Sequence, residues 1–153
     1  MRVRAAVLVA LLLTAAGCGA DDGQDAGTAG YVGALNQAQS SLAQRFEALE
    51  AHTAPTSSAG QDTQTLLAYE AAVRDTVAGL RKVDPPPALS PLHRRFVAQV
   101  EGYGAALRTA RGELRGGDPQ AILAAQGRLR TAVVRTGTRL NATITAINRK
   151  VQG

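Results

Sequence analysis

From Tyr31 to Val151 the large apolar residues recur at spacings of three and four, and this period constrains the fold more than any other feature of the chain. Such a period lines one side of an α-helix, whereas a strand alternates at two. Four stripes follow one another. The first is Val32, Leu35, Ala38, Leu42, Phe46 and Leu49; the second is Leu66, Tyr69, Val73, Val77 and Leu80. The third runs through Leu89, Leu92, Phe96, Val100, Tyr103, Leu107 and Leu114, and the fourth through Ile122, Leu129, Val133, Leu140, Ile144, Ile147 and Val151. No segment sustains strand alternation. All six prolines (Pro55, Pro85, Pro86, Pro87, Pro91, Pro119) fall between stripes or at their starts, where a missing N–H costs no helical hydrogen bond. Ser90-Pro91 and Asp118-Pro119 each place an N-cap residue before a proline at the first helical position. Ser58 and Gln61 have capping-box spacing, and Gly116-Gly117 closes the third stripe. The expected fold is an all-α, up-down-up-down four-helix bundle over residues 31–153.

The chain before the bundle has a different character. Arg2 and Arg4 precede an apolar run of twelve, Ala5–Ala16. As a helix it would span roughly 18 Å against a hydrocarbon core of about 30 Å, so it is too short for a transmembrane anchor and fits the apolar region of an export signal. The run ends at Ala15-Ala16-Gly17-Cys18, which resembles the lipobox of bacterial lipoprotein precursors, although Ala15 stands where that family prefers Leu. The resemblance implies a diacylglyceryl group on the Cys18 thiol, further acylation such as palmitate, and cleavage between Gly17 and Cys18. It covers only the first eighteen positions. Residues 1–17 would be the signal peptide and residues 18–30 the lipidated cysteine and a tether. Gly19–Gly30 holds four glycines, three aspartates and no large apolar side chain, a composition that buries too little surface to order itself. Cys18 is the only cysteine, so no intramolecular disulfide is available. With fifteen Arg against two Lys, the composition is that of a high-GC, actinobacterial-type genome.

Reactive side chains are scarce: two His, one Met and no Trp in 153 residues. His52 ends the first stripe and His93 begins the third, so a bundle would hold them at opposite ends, roughly 30 Å apart, each near the surface at a helix terminus. They cannot share a metal. There is no Glu-x-x-His pair, no His-Glu-x-x-His, no Gly-x-Ser-x-Gly and no phosphate-loop glycine pattern. Glu70 and Glu101 flank the apolar stripes as a notional carboxylate pair, but ion pairing is the simpler expectation: Glu70 with Arg74 at i, i+4, and Glu101 with Arg130 or Arg135. Prolines 85–91 lack P-x-x-P spacing and read as a stiff connector, and the Asn141-Ala-Thr143 sequon falls mid-helix. Seven glycines (33, 79, 102, 104, 112, 127 and 137) lie within the helical stretches at about 0.5–1 kcal/mol each. Most read as compositional, with close backbone approach best placed at Gly102-Tyr103-Gly104.

Charge is uneven. Residues 19–84 carry four basic and nine acidic side chains, whereas residues 85–153 carry eleven and three. Attraction between an acidic and a basic hairpin favours bundle closure. The topology also gathers Arg81, Lys82, Arg94, Arg95, Arg149 and Lys150 at the end from which the first helix starts, as a collar for anionic headgroups. Basic residues are not interleaved with aromatics, so nucleic acid is not an expected partner. The expectation is a non-catalytic interaction or structural module without metal or cofactor. It would sit lipid-anchored on the extracytoplasmic face of the cell membrane, with an envelope protein as a possible partner. The alternative is a carrier holding an apolar small molecule or lipid between helices at Phe46, Tyr69, Phe96 and Tyr103.

Overall fold

In a computed structural model, which describes residues 22–51, 59–116 and 118–152, the chain forms four helices and no strand among the described residues. They are α1 (Asp22–Ala51), α2 (Ala59–Leu80), α3 (Ser90–Arg115) and α4 (Pro119–Gln152). Side-chain pairs give their directions. Arg45 meets Asp75, Glu70 meets Arg111, Arg81 meets Glu101, Glu113 meets Arg128 and Gln99 meets Thr143. Between α2 and α3, and between α3 and α4, one residue number rises as the other falls, as antiparallel packing requires. Tyr31 against His93 and Phe46 against Tyr103 rise together, so α1 and α3 are parallel. The expected up-down-up-down four-helix bundle is what forms. Packing follows chain order, α1 on α2, α2 on α3 and α3 on α4, with no comparably extensive α1–α4 seam among the described residues.

The core runs along the middle helices. Leu80, Leu107 and Ile147 are its most completely buried large side chains, and Val73, Val77, Leu89, Phe96 and Val100 extend it. At the α2–α3 corner, Arg81, Lys82 and Val83 donate their N–H groups back to the carbonyls of Val77, Gly79 and Leu80, which closes the last turn of α2. Leu89 then plugs the end of the core.

Several local expectations are corrected. α1 starts at Asp22, ten residues before Val32 opens the first apolar stripe, so residues 22–30 are helical rather than part of an unordered tether. Once Tyr31 and Leu35 are docked, adding one turn after another costs far less than nucleating a helix. Ser90 is not an N-cap. Its N–H already bonds to the Pro86 carbonyl, as does that of Leu89, so the prolines start the turn and Leu89 takes the cap position without a side-chain bond. Asp118 does cap α4, accepting the Gln120 N–H at 3.0 Å. Gly104 is buried where a Cβ would meet Val73 Cγ1 at 3.2 Å, so it is the close approach; Gly33, Gly79, Gly102, Gly112 and Gly127 face open space. Residues 1–21, with the Ala15–Cys18 motif, lie outside the described residues, as do His52, Pro55, Ser58 and Gly117.

Candidate functional site

The collar residues converge as the topology requires. Arg81 and Lys82 follow the end of α2, Arg94 and Arg95 stand in the first two turns of α3, and Arg149 and Lys150 close α4. All six are exposed. The Gln99–Thr143 contact sets the α3–α4 register, which brings residues 149 and 150 level with residues 92 and 93. Arg81 is neutralised by Glu101 at 2.6 Å, so Glu101 pairs with neither Arg130 nor Arg135. The other five have no acidic partner among the described residues. Arg81, Ser90, His93, Arg94 and Glu101 border an open cleft of about 540 Å³ at this end.

His93 corrects its expected place. It stands near a helix terminus but is only 6% exposed, because the buried face of α3 is turned toward His93, Val97 and Gly104 and away from Leu92 and Tyr103. The Tyr31 hydroxyl lies 3.4 Å from its Nδ1, with the rings edge to face at 5.6 Å. Burial holds the His93 imidazole below its ordinary 6.5, opposed by a hydrogen bond to the Leu80 backbone, and burial pushes Tyr31 up to about 12. The contact ties α1 to the start of α3, and the burial around it favours the neutral form of both rings.

Glu70 and Glu101 do not form a carboxylate pair. Glu70 accepts two bonds from Arg111, at 2.6 and 3.2 Å, rather than pairing with Arg74. The Arg111 guanidinium is shifted up chiefly by this hydrogen bond. Since Glu101 lies level with Arg81 and Glu70 with Arg111, the two carboxylates stand ten residues apart along the helices, roughly 15 Å. Among the described residues the Glu70–Arg111 pair is the least exposed ion pair, and it joins the acidic hairpin to the basic one.

The four aromatic residues divide. Phe46 packs edge-on against Tyr69 at 4.7 Å and tilted against Tyr103 at 5.8 Å, whereas Phe96 is buried seven residues along α3, without a ring contact to the trio. Neither the cleft at the collar end nor the one between α1 and α2 is lined by any of the four. Among the described residues no three His, Cys, Asp or Glu side chains converge to hold a metal ion, and no helix is long and apolar enough to cross a membrane.

One surface escaped the sequence reasoning. Leu123 and Val134 are 68% and 62% exposed, eleven residues apart on the same outward face of α4. They belong to no core stripe, and the signal for them was a second row of uncharged residues at three-and-four spacing on the side opposite the core. No protein-family model matches the chain, and neither a curated protein nor a solved structure matches it.

Proposed function

We propose that the chain is an exported bacterial lipoprotein, held through diacylglyceryl-modified Cys18 on the extracytoplasmic face of the cell membrane. Its bundle acts there as a non-catalytic interaction module. The observation that carries the module reading is the outward face of α4, on which Leu123 and Val134 stand exposed in a row without charged side chains, where a solvated helix face is ordinarily charged. The contact among Phe46, Tyr69 and Tyr103 supports this over a lipid carrier, because the three rings are packed on one another and against the core.

The collar adds to the anchor in a restricted way. Tyr31 is level with His93, so the collar stands roughly 15 Å along α1 from its start at Asp22. That exceeds the screening length of about 8 Å at physiological salt. Its five unneutralised cations therefore reach anionic headgroups only when the bundle leans, each then contributing about 1 kcal/mol. The Cys18→Ser variant tests both parts. It is expected to leave the membrane fraction or persist as unprocessed precursor, and once purified to bind anionic but not neutral vesicles. Unchanged processing and lipid labelling remove the anchor; indifference to both vesicle types removes the collar.

A further inference from the structure

The unpartnered surface of α4 has a definite chemistry. Gly127, Thr131, Val134, Thr138, Asn141 and Thr145 recur at spacings of four and three, an uncharged seam of small and polar residues on the outward side of the helix, away from its buried residues. A solvated helix face is ordinarily charged, yet no charge interrupts this row. Its threonines are less polar than they read. The hydroxyls of Thr131, Thr138 and Thr145 are turned back to donate to the carbonyls of Gly127, Val134 and Asn141 at 2.9–3.0 Å, which leaves methyl groups as the outward part. A Cβ at Gly127 would meet nothing within 4 Å, so a neighbouring backbone has room to approach.

The flanks of the seam are basic. Arg128, Arg135 and Arg149 border one side and Arg130 the other. Arg128 is tied to Glu113, whereas Arg130, Arg135 and Arg149 have no acidic partner among the described residues. α4 itself contains no Asp or Glu.

We propose that this face docks an acidic amphipathic helix of a second protein, with apolar or small residues in the seam and carboxylates against Arg130 and Arg135. The proposal rests on the interaction-module reading above and names the chemistry of the partner. Helical spacing selects a helix, since ridges at three and four fit a facing helix. Uncompensated arginines at the flanking positions select acid, because such positions choose partners by charge. A second copy docked through the same face would set arginine row against arginine row. A bilayer would need large apolar groups to insert, and α4 turns Ile144 and Ile147 into the core while offering outward only Leu123 and Val134 as large side chains on this face.

A photo-crosslinking amino acid replacing Val134 in the full chain, expressed in its own cell, tests the proposal, with a second probe replacing exposed Ala78 on the outer side of α2. The expected adduct at 134 maps to an acid-rich amphipathic helix of another protein. Its yield should fall at least tenfold in Arg130→Glu/Arg135→Glu, while the unfolding temperature of that variant stays within a few degrees. An adduct to a second copy, to lipid or to a segment lacking acidic residues overturns the proposal, and so does a yield indifferent to charge reversal. Adducts at 78 with none at 134 overturn the α4 site and leave the module reading standing; no adduct at either position overturns both.

Discussion

Tyr31 and His93 meet at the end of the bundle, and ionising either one works against the fold. Because the folded His93 imidazole titrates below its ordinary 6.5, the unfolded chain takes up the proton first as pH falls. Its contribution is therefore complete above 6.5 and is lost progressively below. Tyr31 behaves as the mirror case. With the folded phenol raised from 10.0 to about 12, stability is complete below pH 10 and is lost as pH rises toward 12. Urea-unfolding midpoints measured across pH should decline on both limbs, with His93→Gln flattening the acid limb and Tyr31→Phe the alkaline one. An acid limb that survives His93→Gln assigns the effect elsewhere. Two glycines make a sharper contrast. Gly102→Ala fills open space and gains helix propensity of up to about 1 kcal/mol, roughly 4 °C in Tm. Gly104→Ala sets the same gain against an overpacking cost of about 1–3 kcal/mol, because stiff, β-branched Val73 stands 3.2 Å away. Calorimetry should show Gly102→Ala more stable than wild type and Gly104→Ala less stable; equal gains contradict the close approach.

Among the helices, α1 is held most weakly. Tyr31 and Leu35 are its only fully buried side chains among the described residues, whereas α3 buries eight residues along its length. Its ion pair to α2, Arg45–Asp75, is about half exposed on both sides and contributes at most about 1 kcal/mol. Native-state hydrogen exchange should find α1 opening with a lower free energy than α3. Tyr31→Ala with Leu35→Ala should deprotect α1 and leave α2–α4 protected; equal opening energies for α1 and α3 contradict this picture. The existence and order of the helices were legible in the sequence because apolar spacing and prolines act locally. The start of α1 was not, since Gly19–Gly30 has the composition of a linker, and residues 22–30 are helical only as an extension of the docked part that follows. The partners of Glu70 and Glu101 were equally out of reach. An i, i+4 arginine is visible in one dimension, whereas the choice of Arg111 and Arg81 depends on the α2–α3 register. His93 was misplaced for a related reason: the buried face of α3 is set by the helices on both sides of it, and a small rotation exchanged Leu92 for His93 and Tyr103 for Gly104.

Taken whole, the three proposed roles fall on different parts of one bundle. The proposed attachment point precedes α1, the basic collar lies about two to three turns along α1 from its start, and the outward face of α4, the proposed docking surface, runs along the flank. The acidic and basic halves of the chain are joined most closely by Glu70–Arg111, yet α4 keeps a surplus of positive charge that the bundle does not use. Among the residues chosen from sequence, the collar set was brought together and the aromatic set was split, because helix order determines which ends coincide while ring contacts depend on rotation. The α4 surface went unseen because sequence reasoning follows the stripe that makes the core and passes over a second stripe behind it. The proposed membrane placement depends on attachment at Cys18. Mass spectrometry of the N-terminal peptide from the membrane fraction should show a chain that begins at Cys18 and carries a diacylglyceryl group on its thiol. A membrane-fraction chain that keeps residues 1–17, or one whose Cys18 thiol is free, would contradict the account.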